Sequence, residues 1–290
     1  MPPELPKPST RLDLPGIALG HGSDVRGGTG ATVLICPEGL AAAAEVRGTA
    51  TGTRQFDSLV LAHHLGTRIH ALVLAGGSGF GLSCADPVVE HLERLGHGFE
   101  TGLRPVPLVP TAILFDLGFG DPGAVPDPAV MERALAEAAG GEIACGSVGA
   151  GTGATVGKAR GLECAMKGGF GFVSLKVAGG PTVAAAVAVN AFGDVRDPES
   201  GRLIAGCRSA PDSLDRVGAD RVLAALPPDA AHPWEGNTTL ATVLTDARLD
   251  KVELQKICQM AFGGLYRTIS PALSLYDGDL VVAMTTGERP

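Results

Sequence analysis

Short apolar runs separated by Gly, Pro and polar residues dominate the chain, with a few stretches of helical spacing between them. Apolar runs of about four to eight residues bounded by turn residues are typical of buried strands. We predict such strands at 31–36, 41–46, 71–75, 171–177, 182–189 and from 238 onward. The proline-punctuated stretch 105–115 is predicted to be extended. A final pair of strands, 273–276 and 280–285, is predicted around the turn Asp277-Gly278-Asp279.

Helical spacing of apolar residues predicts helices at 84–95, 129–139, 220–225 and 250–265. The last begins at Asp250, with Glu253 three residues on, which is the spacing of a capping box. Residues 1–30 are predicted to form an irregular arm, and 194–235 a surface excursion. Strands and helices are mixed throughout, so we expect one layered α/β domain over residues 1–290.

Composition narrows the class of protein. The 290 residues are 45% hydrophobic and 19% charged, with a formal net charge of −8. That charge argues against a nucleic-acid-binding surface, and no apolar stretch is long enough to span a bilayer. The first eight residues lack the apolar core of a secretory signal, and the six cysteines are scattered without zinc-finger spacing. We therefore expect a cytoplasmic protein that binds neither nucleic acid nor membrane and holds no metal or cofactor.

Two glycine-rich stretches resemble the loops of nucleotide-binding or hydrolase motifs, but their residues do not match the positions that those motifs require. Gly76-Gly77-Ser78-Gly79-Phe80-Gly81 follows a strand and opens a helix, yet its glycines do not match the dinucleotide pattern GxGxxG. It is not a GxSxG nucleophile elbow either, because Phe80 takes the last glycine position. The turn at 151–158 ends in Lys158 like a P-loop, but lacks both the first glycine and the magnesium-binding hydroxyl. Both stretches are predicted to be tight turns.

The junction Asn237-Thr238 leads from a polar turn directly into an apolar run. A hydroxyl at the mouth of a buried strand is held rigidly, and cleavage just before Thr238 would leave a free α-amine on the same residue. Such an amine titrates at about 7.7–8.0 in peptides and can take the proton of a threonine hydroxyl. The alternative is an ordinary strand that begins with threonines because β-branched residues suit strands. On this segment alone the ordinary strand is the better interpretation.

Six blocks of sequence, taken in order, resemble one family. The blocks are 76–82, 106–110, 115–116, 151–158, 237–239 and 277–279. Over about residues 12–287 the chain resembles the DmpA-type L-aminopeptidase/D-esterase family, which includes the β-aminopeptidases and the nylon-oligomer endohydrolase. The resemblance implies an αββα sandwich of the N-terminal-nucleophile hydrolase type and assembly as a homo-oligomer, such as a tetramer.

The resemblance also implies self-cleavage. Members of that family cleave themselves before a Ser or Thr, and this residue becomes the nucleophile. On this chain the cut would fall between Asn237 and Thr238, giving a large subunit, 1–237, and a small subunit, 238–290. The threonine at the cut resembles the nylon-hydrolase branch more than the branch that uses serine.

The remaining site residues are implied in the same way. Asp277 and Asp279 stand where the nylon-hydrolase branch has two aspartates, which would orient the nucleophile. Asn190 would donate to the oxyanion, and Lys158 would add positive charge nearby. Phe115 takes the position of a tyrosine whose hydroxyl assists the oxyanion in some members, so a backbone N–H could serve instead. A purely structural role remains open for each of these residues. The two aspartates could belong to a hairpin turn, Asn190 could be a polar residue at a strand end, and Lys158 could be a turn residue.

The function that these residues favour is a self-processing amide or ester hydrolase of the aminopeptidase type, with an acyl-enzyme on Thr238. The expected substrate is a small amide, peptide or ester. One alternative is an uncleaved, non-catalytic relative that acts as a binding or assembly protein. Another is an acyltransferase with the same self-cleaving logic.

Overall fold

The computed structural model describes residues 7–227 and 236–289. In that part of the chain the strands are β1 (Arg11–Leu12), β2 (Ala18–Asp24), β3 (Thr29–Val46), β4 (Gly52–Arg54), β5 (Arg68–Ala75), β6 (Thr111–Ile113), β7 (Gly141–Glu142), β8 (Thr155–Val156), β9 (Met166–Lys167), β10 (Gly169–Lys176), β11 (Thr182–Asn190), β12 (Asp194–Arg196), β13 (Leu203–Ala205), β14 (Thr238–Ala247), β15 (Ile269–Ser270) and β16 (Leu280–Arg289). The α-helices are α1 (Asp57–Val60), α2 (Ala85–Arg94), α3 (Pro128–Glu137), α4 (Ala219–Ala225) and α5 (Lys251–Thr268). Short 3₁₀ helices lie at Ser78–Cys84, Gly149–Gly151 and Leu162–Cys164. None of the described helices is long and apolar enough to cross a membrane.

A nine-stranded sheet forms the centre of the described residues, and the 18-residue strand β3 belongs to both of its halves. The C-terminal end of β3 pairs with β16, and β14, β11 and β10 follow in order. The N-terminal end pairs with β2 on one side and β5 on the other, and β6 and β4 continue from β5. The register with β5 shifts between Ile35 and Leu40, as expected where a long strand bends between two half-sheets.

Apolar contacts show how the two halves pack. Leu34 and Leu74 from one half, and Leu244 and Val282 from the other, belong to a single buried cluster. Because side chains alternate along a strand, each half has a second face. On the half that contains β5, this face packs against α2 and α3; on the half that contains β14, it packs against α5. The order of layers is therefore helix, sheet, sheet, helix.

Helix α5 connects β14 to β16, and these two strands run parallel. Parallel neighbours need a long crossover of this kind. The helix begins with the predicted capping box, in which Asp250 accepts from the Glu253 N–H and Glu253 accepts from the Asp250 N–H. Leu254, Cys258 and Phe262 bury its apolar face. The predicted helices at 84–95, 129–139, 220–225 and 250–265 are confirmed as α2, α3, α4 and α5, within a few residues at their ends.

Three predictions about strands need correction. The runs at 31–36 and 41–46 are the two ends of one strand, β3. The first 30 residues are not an irregular arm throughout, since β2 pairs with β3 along its whole length. The hairpin predicted around residue 278 is wrong, because 273–276 form a loop and β16 runs parallel to β14. The Ser274 N–H donates to the Asp277 carboxylate at 2.7 Å, which curls this segment into a loop.

The predicted surface excursion at 194–235 contains β12, β13 and the predicted short helix, α4. Strand β12 pairs with β13 and with β15 in a small separate sheet. The last part of the excursion, 228–235, lies outside the described residues.

Candidate active site

Strand pairing brings the predicted site residues together at the start of β14. Strands β11 and β14 are antiparallel, and Asn190 at the end of β11 is the register partner of Thr238 at the start of β14. On the other side, Asn237 forms a parallel bridge with Asp277, just before β16. The junction Asn237-Thr238 is therefore flanked by Asn190 on one strand and by Asp277 on the other.

The Thr238 hydroxyl lies against the peptide bond that precedes it. Thr238 is 2% exposed, and its Oγ1 donates to the carbonyl oxygen of Asn237 at 2.5 Å. The same oxygen accepts from the Gly278 N–H at 2.7 Å, and the Asn237 N–H donates to the Tyr276 carbonyl oxygen at 3.3 Å. The carbonyl next to the hydroxyl is thus fixed and polarised by a backbone donor.

Gly278 approaches the junction more closely than a residue with a side chain could. A Cβ at this position would lie 2.7 Å from Thr238 Oγ1 and 2.6 Å from the carbonyl oxygen of Ala50. The Ala50 N–H in turn donates to the Asp277 carbonyl oxygen at 3.1 Å, which fixes the loop after β3 against this bend. The close approach therefore requires glycine at 278.

Two buried carboxylates, each 1% exposed, lie beside the junction. Asp277 accepts from the Phe192 N–H at 3.2 Å and from the Ser274 N–H at 2.7 Å. Asp279 accepts from the Thr239 N–H at 2.5 Å. Burial, with the neighbouring carboxylate of Asp277 as the second cause, raises the pKa of Asp279 to about 7. A carboxyl group with such a pKa can exchange protons near neutral pH.

Lys158 and Asn190 form a buried polar pair next to the junction, 2% and 0% exposed. The Nζ of Lys158 lies 3.1 Å from Asn190 Oδ1. It also contacts the carbonyl oxygens of Thr155 at 2.9 Å, Asn190 at 3.0 Å and Ala191 at 3.2 Å. Thr155 N–H donates to Asn190 Oδ1 at 2.9 Å as well, so the orientation of the Asn190 amide is fixed from two sides.

The amide hydrogens of Asn190 are directed at carbonyl groups close to the junction. Its Nδ2 donates to the Phe115 carbonyl oxygen at 2.7 Å and lies 3.5 Å from the Gly236 carbonyl oxygen. The carbonyl oxygen of Asn237 itself accepts from the Gly278 N–H and from Thr238 Oγ1. The side chain of Asn190 thus contacts the residue before the junction, and a backbone group contacts the junction carbonyl.

Two cavities share Phe115 and Gly236 in their lining. One, of about 90 Å³, extends along Asp116 and Lys158. The other, of about 310 Å³, opens beside Thr238, and its further lining comes from Ala50, Thr51, Gly52, Ser78, Gly79 and Ile113. A Cβ on Gly236 would lie 2.4 Å from Cγ of Phe115, so the chain passes the aromatic ring at close range just before the junction.

The structure thus brings the residues assigned from the sequence to one place: Lys158, Asn190, Asn237, Thr238, Asp277 and Asp279. Sequence reasoning did not name the Gly278 N–H or the Tyr276 carbonyl, because backbone groups carry no side-chain signature. The available signal was a glycine held between two aspartates. Within residues 7–227 and 236–289, no group of three or more His, Cys, Asp or Glu side chains is placed to hold a metal ion.

Several known proteins with similar sequences carry the names of hydrolases. The model of peptidase family S58 matches residues 11–290. A protein named as an uncharacterized aminopeptidase from Mycobacterium leprae (strain TN) is 37% identical over 295 residues, covering 95% of this chain and 78% of that protein. A 6-aminohexanoate-oligomer endohydrolase from Paenarthrobacter ureafaciens is 32% identical over 282 residues, covering 96% of this chain and 75% of that protein.

Solved structures share the fold. The L-aminopeptidase D-Ala-esterase/amidase from Ochrobactrum anthropi, described as a variant of the Ntn hydrolase fold, matches with a TM-score of 0.72 at 17% identity, over 97% of this chain and 75% of that chain. The β-aminopeptidase from Burkholderia sp. matches with a TM-score of 0.68 at 22% identity, over 98% of this chain and 75% of that chain. These matches confirm the predicted layered sandwich. The predicted family is confirmed as well: the chain belongs to peptidase family S58 and is a peptidase or amide hydrolase.

Proposed function

We propose that this hydrolase cleaves its own chain between Asn237 and Thr238 and then uses Thr238 as its N-terminal nucleophile. One observation carries the proposal: Thr238 Oγ1 lies 2.5 Å from the Asn237 carbonyl oxygen, which also accepts from the Gly278 N–H at 2.7 Å. A nucleophile and a donor for the developing oxyanion therefore meet at one peptide bond.

Self-cleavage begins when Thr238 Oγ bonds to the carbonyl carbon of Asn237 and loses its proton. Asp279 is the proposed acceptor of this proton, since its pKa is raised to about 7. Its carboxylate also accepts a hydrogen bond from the N–H of Thr239, the residue after Thr238. The Gly278 N–H stabilises the oxyanion. The C–N bond then breaks, and the nitrogen takes up a proton. This leaves an ester between Asn237 and the Thr238 oxygen, which water hydrolyses to a carboxylate and a free hydroxyl.

In the mature enzyme, the same oxygen attacks a substrate amide or ester. The new α-amine of Thr238, with a pKa of about 7.7–8.0 in peptides, takes the hydroxyl proton. The acyl group passes to Thr238, the amine or alcohol leaves, and water releases the acid. The Gly278 N–H is available as oxyanion donor in this step too, which suits a chain with Phe115 in place of a tyrosine.

Asn190, predicted as a donor to the oxyanion, directs its Nδ2 at the carbonyl oxygens of Phe115 and Gly236, so its proposed role is to hold the acyl side of the substrate. Lys158 acts through it: the contact of Nζ with Asn190 Oδ1 at 3.1 Å fixes which end of the amide faces the junction. Asp277 is proposed as a positioning residue, since its carboxylate raises the pKa of Asp279 and binds two backbone N–H groups around the bend.

Intact-mass measurement and a denaturing gel test the proposal, applied to the wild-type protein and to Thr238→Ala and Thr238→Ser. The wild type should give two fragments, the smaller beginning at Thr238. The alanine variant should remain one chain of 29.3 kDa and hydrolyse no p-nitroanilide, whereas the serine variant should still cleave itself.

Three other outcomes would each contradict the proposal. A wild-type chain that stays whole after long incubation would favour an uncleaved binding protein. Amide hydrolysis by Thr238→Ala would exclude this nucleophile. Acyl transfer to an added amine that outruns hydrolysis would indicate an acyltransferase.

A further inference from the structure

We infer that a substrate binds in place of the segment Gly236-Asn237, with its acyl part extended beside residues 276–278. The inference rests on the proposed function, in which Thr238 acts first on its own chain and later on a substrate. It assigns a substrate class: an N-acylated α-amino acid amide, cut on the carboxyl side of that residue. In other words, the site is built for an internal amide bond of a short peptide.

The contacts of Asn237 that support this inference are made by its backbone. Its N–H donates to the Tyr276 carbonyl oxygen at 3.3 Å, and its carbonyl oxygen accepts from the Gly278 N–H at 2.7 Å. Together with the parallel bridge to Asp277, these are the bonds of a short strand laid against 276–278. Because they do not involve the side chain at 237, any α-amino acid residue can form them.

The spacing of these two bonds selects the substrate backbone. An α-amino acid residue carries its N–H and its carbonyl on the same carbon atom, so it reaches Tyr276 and Gly278 together. In an ω-amino acyl unit, as in a linear nylon oligomer, several methylene groups separate the nitrogen from the carbonyl. Such a unit can place its carbonyl on the Gly278 N–H but leaves the Tyr276 carbonyl without that donor.

The residue before the cut also has defined surroundings. The Gly236 carbonyl oxygen lies 3.5 Å from Asn190 Nδ2. A substrate that is acylated on its nitrogen offers a carbonyl at the same place, and a free amino terminus does not. A Cβ on Gly236 would lie 2.4 Å from Cγ of Phe115, so an acetyl or glycyl group fits past the ring where a larger residue would collide.

The side group of the substrate residue has room in the cavity of about 310 Å³ that opens beside Asn237 and Thr238. Ala50, Thr51 and Ile113, none of them charged, are among the residues that line this cavity. It suits a small or medium, uncharged side group.

The test follows release of p-nitroaniline by the purified, self-cleaved enzyme. The reference substrate is N-acetyl-L-alanine p-nitroanilide. Its matched control is O-acetyl-L-lactic acid p-nitroanilide, in which an oxygen atom replaces the N–H and little else changes. Two further compounds are 6-acetamidohexanoic acid p-nitroanilide, which moves the N–H away from the carbonyl, and L-alanine p-nitroanilide, which has a free amine.

We expect the lactic compound to lose about tenfold in kcat/KM relative to the reference, which corresponds to one hydrogen bond. The hexanoic compound should be at least as poor, and the free amine should be slower than its acetylated form. N-acetylphenylalanylalanine p-nitroanilide should be slower than its acetylglycylalanine counterpart, because the larger residue meets Phe115.

Each comparison can overturn the inference. Equal kcat/KM for the alanine and lactic compounds would show that the substrate makes no hydrogen bond to the Tyr276 carbonyl. A faster hexanoic compound would show that the site does not select the spacing of an α-amino acid. A faster free amine shows that the enzyme cuts terminal residues. If the gel shows both fragments but no alanine compound is cut, the inference fails while self-cleavage stands. If the fragments are missing, the proposed function itself fails.

Discussion

The backbone N–H of Gly278 lies 2.7 Å from the carbonyl oxygen of Asn237, the group on which the proposed self-cleavage begins. Two features make this contact possible. The parallel bridge between Asn237 and Asp277 aligns the two segments, and the missing side chain at 278 lets them approach. A backbone group thus donates to this carbonyl in a chain that has Phe115 where the resemblance implies a tyrosine in some members of the family.

Gly278→Ala should slow self-cleavage by about 100-fold or more, the typical effect of losing one oxyanion donor. The added Cβ would lie 2.7 Å from Thr238 Oγ1 and 2.6 Å from the Ala50 carbonyl oxygen, so either the hydroxyl or the donor must move. The rate can be measured by the appearance of the two fragments on a denaturing gel. Gly171→Ala is the control, because a Cβ there meets nothing within 4 Å. Equal rates of self-cleavage for the two variants would show that Gly278 has no role in the mechanism.

The rate of self-cleavage should rise with pH through about 7 and then level off. Burial and the Asp277 carboxylate raise the pKa of Asp279 to about 7, and only the deprotonated group can accept the Thr238 proton. Asp277→Asn removes the like charge, so it should lower the pKa of Asp279 and shift the rising limb to lower pH. Cleavage followed in a buffer series gives both profiles. A limb that does not move in Asp277→Asn would speak against Asp279 as the base.

The same pKa shift sets a trend in stability. A carboxyl group whose pKa is higher in the folded state than its ordinary value of 3.8 stabilises the fold fully below that value. This contribution is lost as the pH rises through about 7. In a Thr238→Ala background, which keeps the chain whole, the free energy of unfolding in urea should therefore fall between about pH 4 and pH 7. Adding Asp279→Asn should flatten that fall, and an unchanged slope would show that other groups cause it.

Lys158→Met should both destabilise the protein and slow self-cleavage, because the Asn190 amide that contacts the Gly236 carbonyl before the junction is then less firmly oriented. The substitution leaves four oxygens around Nζ, all within 3.2 Å, without this donor. Each buried acceptor left without a partner costs about 1–3 kcal/mol, so the free energy of unfolding should fall by about 3 kcal/mol or more. Urea titration measures this loss, and a gel measures cleavage.

Lys167→Met is a matched control for that variant. Lys167 Nζ also donates to three carbonyl oxygens, those of Gly151, Thr152 and Ala154 at 2.7–3.3 Å, but not to Asn190. It should lower stability and still cleave itself. If Lys158→Met also cleaves at the wild-type rate while folded, its role is structural alone.

Asp250→Ala should lower the free energy of unfolding by about 1 kcal/mol, the usual effect of removing a helix N-cap. The Asp250 side chain accepts from the Glu253 N–H at 2.8 Å in the capping box of α5. Self-cleavage should continue, since the helix start lies away from the junction in the chain. Chemical denaturation measures the change, and an unaltered midpoint would show that α5 does not depend on this cap.

Local signals predicted the elements that bear on this site. The capping box at Asp250 and the apolar spacing after it defined α5, because the contacts that start a helix join residues only a few positions apart. The threonine-led apolar run from 238 onward likewise predicted strand β14. The ordered blocks of sequence were also enough to place the chain in its family, since residue types in fixed order need no coordinates.

Pairings between distant residues decided the rest. The sequence around Asp277-Gly278-Asp279 is that of a good hairpin turn, and local reasoning favoured one. The helical crossover after β14 instead brings β16 in parallel to that strand, which sets Gly278 against Asn237. The pKa of Asp279 follows from the same packing, because desolvation depends on every group that surrounds the carboxylate. The sequence by itself determined the family and which side chains are candidates for the chemistry, because residue types and their order are local information; only the tertiary structure decided which backbone groups meet those side chains.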